Sequence, residues 1–376
     1  MEFELSEVHR DIRRSAHKLA EAEFADDAFT WHHKHPEENA KILGEHGYLG
    51  LTLPEAYGGG GMSWFDNLMV VEGVGQVCPD TARVIVESNS GNLQIIAKYG
   101  SEELKEEYLP PVCEGRSFIS IAMSELDAGS AVTEMTTSAE REGDEYVLNG
   151  SKVWVSEAPR ADAHVTYARM PDGHIGSLLV DDDTPGLTVA EPDENMADEP
   201  QSQLFFDDAR VPVQNELLTG EGAFKRQMRT YNVNRVMGLA YNWVAAKWLF
   251  EDALSYAQQR EQFGQPIGDF QAIQHRLADM ALRLETSRYL IYRALSGDTL
   301  PGRLLSSMAK VYVSEATHEV VDDALQIKAA AGFVGDTPES YAYRRLRGSQ
   351  IYSGTSDIHR NIIAESLYED GYPDIT

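Results

Sequence analysis

The chain has 376 residues, 42% of them hydrophobic, which suffices for a sizeable core and favours two or three domains. A net charge of −29 argues against nucleic acid and anionic membrane as partners, because the summed field repels phosphate. Two cysteines, Cys78 and Cys113, exclude a disulfide framework, and neither stands in a CxxC or histidine-rich setting, so ordinary thiols and no metal are expected.

With 61 Asp and Glu, and 10 lysines against 22 arginines, the composition suggests a high-salt cytoplasm, an acidic mesophilic protein being the alternative. Charges at Glu2, Glu4, Glu7, Arg10 and Asp11 leave no apolar signal-peptide core near Met1, and no uncharged run of about 18 residues occurs further on. A soluble cytoplasmic protein is the expectation.

From Leu5 to about Glu114 apolar residues recur at three- and four-residue spacing, as in Leu19, Ala20, Ala22 and Phe24 and again in Phe65, Leu68, Met69 and Val74, which predicts helices. The run Tyr57-Gly58-Gly59-Gly60-Gly61 interrupts them. It lacks the Lys-Ser/Thr of a P-loop and the strand-to-helix spacing of a dinucleotide fingerprint, so a plain loop is expected. Between Ser117 and about Leu218 the period falls to two, in Phe118-Ile119-Ser120-Ile121, Glu145-Tyr146-Val147-Leu148, Lys152-Val153-Trp154-Val155 and Leu204-Phe205-Phe206. Turns are predicted at Gly143-Asp144, Asn149-Gly150, Asp172-Gly173 and Pro185-Gly186, at the spacing of a small β-barrel or sandwich. Beyond Gly220 helical periodicity returns, notably over residues 235–260 and 269–295. The order predicts an α+β chain in three domains, helical over 1–116, β over 117–219 and helical over 220–376, with the site in a cleft between layers.

Four separated segments carry a resemblance. They are Ser124-Glu125-Leu126-Asp127-Ala128-Gly129-Ser130, then Leu148-Asn149-Gly150-Ser151-Lys152-Val153-Trp154-Val155-Ser156, then Arg260-Glu261-Gln262-Phe263-Gly264 with Phe270-Gln271-Ala272-Ile273-Gln274, and last Ile351-Tyr352-Ser353-Gly354-Thr355-Ser356-Asp357-Ile358-His359-Arg360. In this order they resemble the motifs of the flavin-dependent acyl-CoA dehydrogenase family, over nearly the whole chain. The resemblance implies that family's fold, with a C-terminal four-helix bundle, and it implies FAD. By similarity the backbone at Met123 and the hydroxyls of Ser124 and Ser156 bind the isoalloxazine, Trp154 packs against it, and Ser130 lies beside cofactor and substrate. Arg260, whose guanidinium fork suits a diphosphate, is implied to reach the FAD of a neighbouring subunit, so a homo-oligomer, usually a tetramer, is implied too. Phe263, Gln326, Thr355 and Asp357 are implied to line the cofactor, and Asn232 and Arg235 the CoA thioester, while Ala329-Ala330 replaces the family's Gly-Gly.

Ser353 occupies the place of the family's usual catalytic glutamate, and Asn234 the alternative place just before Arg235. A positioned general base typically contributes about 10²- to 10⁴-fold, and neither side chain supplies one unaided. Glu87 is the local candidate for a base or a pocket-floor residue. Arg83, one helical turn away, stays charged, so its pocket is expected to hold an anion, either Glu87 or an acidic group on the acyl tail. A pocket arginine without a base resembles the 3-sulfinopropionyl-CoA desulfinases. The likeness runs through Thr81-Ala82-Arg83-Val84-Ile85-Val86-Glu87-Ser88-Asn89, Gly129-Ser130-Ala131, Glu134-Met135-Thr136-Thr137 and Tyr231-Asn232-Val233-Asn234-Arg235-Val236. It implies carbon–sulfur cleavage to propionyl-CoA and sulfite, with Arg83, Asn234 and Ser353 as catalytic residues and Arg83, Glu87, Ser130, Asn232 and Arg235 around the substrate. Two readings remain beside it: an α,β-dehydrogenase for a short-chain or dicarboxylic acyl-CoA, served by an electron-transfer flavoprotein, and a catalytically silent acyl-CoA-binding flavoprotein.

Overall fold

The computed structural model describes residues 5–29, 36–89, 91–297 and 300–372. In chain order the helices are α1 (Glu7–Glu23), α2 (Glu37–Glu45), α3 (Trp64–Gly75), α4 (Pro79–Glu87), α5 (Gly91–Tyr99), α6 (Glu102–Cys113), α7 (Ala223–Gln259), α8 (Gln271–Leu295), α9 (Arg303–Lys328), α10 (Ala330–Phe333), α11 (Pro338–Gly348) and α12 (Ser356–Asp370). Between α6 and α7 run β1 (Ile119–Ala122), β2 (Ser138–Glu142), β3 (Glu145–Ser156), β4 (Ala163–Arg169), β5 (Ile175–Asp181), β6 (Leu187–Val189), β7 (Asp193–Glu194), β8 (Pro200–Pro212) and β9 (Glu216–Leu218). The short pair β10 (Glu261–Gln262) and β11 (Gln265–Pro266) follows α7. The chain divides into two compact units, a helical one of residues 1–32, 64–86 and 232–376 and a mixed one of residues 33–63 and 87–231.

In the helical unit, spacing becomes packing. Ser6 caps α1 by accepting from the His9 amide at 3.1 Å, a bond of the kind that stabilises a helix start by about 1 kcal/mol. Ala16, Ala20 and Phe24 are fully enclosed, whereas Ala22, expected on the same face, is exposed. Helices α1 and α3 approach so closely that a Cβ on Gly73 would stand 2.5 Å from the Arg13 carbonyl oxygen. On α9 the buried stripe includes Ala309, Val313 and Val320, and it also includes Lys310.

The mixed unit is built on a sheet of order β6-β8-β3-β2-β4-β5-β9, with β1 parallel to β4 and β7 beside β8. Both faces are covered. Leu179 joins one core with Leu93, Leu109 and Val165, while its neighbours Leu178 and Val180 join another with Leu148, Leu204 and Val211. Period-two alternation is therefore visible in β8 but lost in β4 and β5, which are buried along almost their whole length. Gly143, Gly173 and Gly186 lie at positive φ in the expected turns. Asn149-Gly150 is not a turn: both residues lie inside β3, where the register against β8 shifts between Leu148 and Gly150. Gly150 has φ +143 there, and a Cβ would come within 2.6 Å of the Thr137 hydroxyl oxygen.

The glycine run is a loop, as expected. The amides of Gly60, Gly61 and Met62 bond back to the carbonyls of Gly50, Leu53 and Leu51, so they are turned inward and form no phosphate cradle. Both cysteines are free and buried, and burial pushes each thiol up to about 11. Among the described residues no helix is long and apolar enough to cross a membrane, and no cluster of His, Cys, Asp and Glu could hold a metal ion.

Candidate functional site

In the mixed unit the loop after β1 is fastened to β3. The Val153 amide donates to the Ser124 carbonyl at 2.9 Å, and the enclosed Lys152 ammonium donates to the Met123 carbonyl at 3.1 Å. Lys152 also donates to Glu125 at 2.8 Å, and Glu125 accepts from the Thr136 amide and hydroxyl at 2.6 and 2.9 Å and from the Thr137 amide at 2.9 Å. Burial would raise the Glu125 carboxyl, but these donors outweigh it and hold it down at about 2. Burial works against the Lys152 charge and Glu125 for it, and with so many donors on the carboxylate the pair is ionised.

That anchored frame presents Trp154. The register against β8 shifts again between Lys152 and Val155, and Trp154 takes φ +56, in the left-handed region that a bulky residue rarely enters. The indole is consequently 57% exposed. Ser130 and Ser156 are exposed, and the Ser156 hydroxyl lies 3.5 Å from the Gln201 amide nitrogen. Met123 and Ser124 are half-buried.

In the helical unit, Arg83 on α4 is buried at 8% exposure, and Asp80, one turn earlier, lies 3.4 Å from the Tyr241 hydroxyl of α7. Burial, followed by Tyr341 and Asp80, drives the Tyr241 phenol well above its ordinary range, while the charges of Arg345 and Arg83 pull the other way. The Arg345 guanidinium lies 5.5 Å from the ring centres of both Tyr241 and Tyr352 and donates to the Tyr352 hydroxyl at 3.2 Å.

Tyr352 leads into the turn that carries Ser353. Ser353 has φ +58 and Gly354 φ +88, after which Thr355 caps α12 by accepting from the Ile358 amide at 3.2 Å. Side chains from three helices grip this turn. Arg235 on α7 donates to the Ser353 carbonyl at 2.9 Å, His359 on α12 donates to the same oxygen at 3.1 Å, and Lys310 on α9 donates to the Tyr352 carbonyl at 2.9 Å and to that of Ser349. A carbonyl only accepts, so His359 Nε2 carries the proton and Nδ1 accepts from the Ser307 hydroxyl at 3.0 Å. Burial, with Arg235 next, depresses His359 to about 4, and burial, again with Arg235 next, depresses Lys310 to about 7. A Cβ on Gly354 would meet His359 Nε2 at 2.7 Å, so the turn admits no side chain there.

The expected residues thus fall into two sets. Arg83, Asn232, Asn234, Arg235, Arg260, Phe263, Gln326, Ser353, Thr355 and Asp357 belong to the helical unit, and Glu87, Met123, Ser124, Ser130, Trp154 and Ser156 to the mixed one. Arg235 donates to the Asn232 side chain at 2.9 Å as well as to Ser353. Glu87 lies 3.6 Å from Arg160, whose guanidinium stacks 3.7 Å from the Phe118 ring centre. Phe263, between β10 and β11, is 94% exposed at φ +53, and Arg260, Gln326 and Asp357 are also exposed. Ala329 keeps a glycine-like backbone, φ +52 and ψ −130, despite its methyl group. Trp154, Phe263, Ala329 and Ser353 are four of the nine non-glycine residues at positive φ among the described residues. Sequence reasoning missed Lys310, His359 and the Asp80–Tyr241–Arg345 group. The one available signal was a lysine inside the apolar stripe of α9.

Sequence profiles for the N-terminal, middle and C-terminal domains of acyl-CoA dehydrogenases match residues 6–116, 120–209 and 221–368. A 3-sulfinopropanoyl-CoA desulfinase of Paraburkholderia xenovorans is 35% identical over 97% of this chain and 97% of its own. The mitochondrial short-chain specific acyl-CoA dehydrogenase of Mus musculus is 34% identical over 97% of this chain and 91% of its own. A solved glutaryl-coenzyme A dehydrogenase in complex with glutaryl-CoA superposes with a TM-score of 0.92 at 29% identity, covering 98% of this chain and 97% of that one.

Proposed function

The chain belongs to the acyl-CoA dehydrogenase family, whose members similar to it include both desulfinases and dehydrogenases, and from that premise we propose that it binds FAD and cleaves sulfite from an acyl-CoA with a sulfinate tail. Identity alone does not choose between the two activities. The observation that carries the choice is the Ser353 turn: it is gripped from three helices, yet the side chain it offers is a hydroxyl and not a carboxylate.

FAD fits the residues present. The outward indole of Trp154, the anchored Met123–Ser124 loop and the exposed hydroxyls of Ser130 and Ser156 suit a flat heteroaromatic ring with polar edges. In the helical unit the exposed Arg260, Phe263 and Gln326 suit the diphosphate and adenosine of a cofactor bound by a second copy. When bound, FAD supplies a redox-active ring that also polarises its surroundings. An oligomer, a tetramer by the family pattern, follows from this assignment.

Arg83 would bind the sulfinate by its fork of donors, two oxygens to two N–H groups. Asn232 and Arg235 would steady the thioester. The bond between C3 and sulfur breaks, C3 takes a proton from water, and sulfur leaves at the level of sulfur dioxide and takes up the hydroxide as bisulfite. Asn234 and Ser353 would hold that water. One water is consumed, nothing is oxidised overall, and no electron-transfer partner is needed. Incubation of the purified protein with 3-sulfinopropionyl-CoA, butyryl-CoA and glutaryl-CoA, following sulfite and flavin absorbance together, tests the reading. Sulfite from the first alone, with the flavin still oxidised, is expected. Flavin bleaching with enoyl-CoA formation would establish the dehydrogenase instead, and neither signal would leave a silent binder.

A further inference from the structure

Lys310 is 1% exposed, in a chain that uses arginine for most of its cations. A buried ammonium loses several kcal/mol of hydration, and a methionine of similar length would fill the same space without that loss. Its acceptors explain the cation. Ser349 closes the C-terminus of α11, where carbonyls lack helical partners and carry partial negative charge, and Tyr352 immediately precedes Ser353. The Tyr352 ring centre lies 5.1 Å from the ammonium, and the other charged or titratable groups on the turn are Arg235, His359 and, through the Tyr352 side chain, Arg345.

We propose that Lys310 is a positioning residue: by fixing the Ser349 and Tyr352 carbonyls it sets the left-handed Ser353 turn and hence where the Ser353 side chain stands against the thioester. This rests on the reading that the turn faces the substrate. A non-glycine residue at positive φ persists where its surroundings over-determine it, and Lys310 supplies two of the four side-chain bonds described above to the carbonyls of Ser349, Tyr352 and Ser353. Nothing in its role depends on proton transfer.

The test is Lys310→Met, which keeps the apolar stem and removes the donors, beside Lys328→Met, which removes bonds to Asp252 and Glu339 from the same helix. Displacing a reacting group by about 1 Å costs roughly 10²-fold, so sulfite release by Lys310→Met is expected to fall by about that factor in kcat with KM little changed, while Lys328→Met loses thermal stability but keeps kcat. A second arm is independent of desulfination: in Ser353→Glu, flavin bleaching by butyryl-CoA is expected to appear, and adding Lys310→Met to slow it similarly. Loss in that arm without any wild-type sulfite would keep the positioning role and sink the desulfinase reading. If neither protein turns over, the shift of the flavin absorption band on adding butyryl-CoA is the readout, altered by Lys310→Met and unaltered by Lys328→Met. Should Lys310→Met not fold, Lys310→Gln, too short to reach both carbonyls, is read in the same assays, with the same fall in kcat expected and an unchanged kcat overturning the proposal. Equal losses in the two lysine variants, or unchanged kcat and band shift in Lys310→Met, would overturn the proposal.

Discussion

Lys152 and Lys310 are both enclosed, both donate to backbone carbonyls, and both secure a loop carrying expected site residues, yet their electrostatic surroundings are opposite. Lys152 faces a carboxylate gathered among four donors, so its charge is matched. Lys310 is bound only to carbonyl dipoles, and burial, followed by the nearby charge of Arg235, depresses it to about 7. A matched buried ion pair makes a frame that is costly to break. A cation held by dipoles makes a turn whose stability follows pH.

Glu125→Gln is the harshest way to break that contrast. It strands the Lys152 ammonium, a loss of about 3–5 kcal/mol for a buried pair, and urea unfolding should show it together with weaker flavin retention. A loss under about 1 kcal/mol would mean that the frame is not held by charge. Next in size, Arg83→Lys keeps the charge but loses the fork, so kcat/KM for the sulfinate substrate should fall about 10- to 100-fold with flavin content unchanged. Equal kinetics would dismiss Arg83 as the anion's partner.

The pH dependence sharpens the comparison. The ordinary pKa of histidine is 6.5 and folding lowers that of His359 to about 4, so between those values the unfolded chain binds more protons and stability falls as pH drops. Lys310 follows the same inequality between about 7 and 10.5, so its contribution rises with pH across that window. Melting temperatures of His359→Gln should therefore vary less than wild type between pH 4 and 6.5, and those of Lys310→Met less above pH 7. Parallel wild-type and variant curves would contradict these assignments. The smallest effect expected is from Ala329→Gly, which relieves a methyl group at φ +52 and should stabilise by about 1 kcal/mol in the same melts.

Helices and strands were legible because period-three-to-four and period-two spacing reflect burial on one face, as in α1 and β8. The reading failed at Asn149-Gly150, where a dipeptide suited to a turn serves a bulge instead: the glycine is needed for φ +143 and for contact with Thr137. The site was partly legible. The family resemblance pointed to Arg83, Trp154 and Ser353, the residues on which the proposed chemistry rests. Lys310 and His359 were missed because Lys310 takes its carbonyl partners from a distant turn and His359 its Ser307 partner from α9, and a lysine within the apolar stripe of α9 was the one local sign. Glu125 and Lys152 stood inside quoted motifs, but their pairing, 27 residues apart, needed the fold.

The central claim is that a gripped turn presents a hydroxyl where the family's base would stand, and that Arg83 takes the anion of the substrate. Following sulfite and the flavin spectrum in one cuvette with 3-sulfinopropionyl-CoA tests it most directly. The account predicts stoichiometric sulfite and propionyl-CoA with the flavin band undiminished. Bleaching of that band by a saturated acyl-CoA, with enoyl-CoA as product, would contradict it.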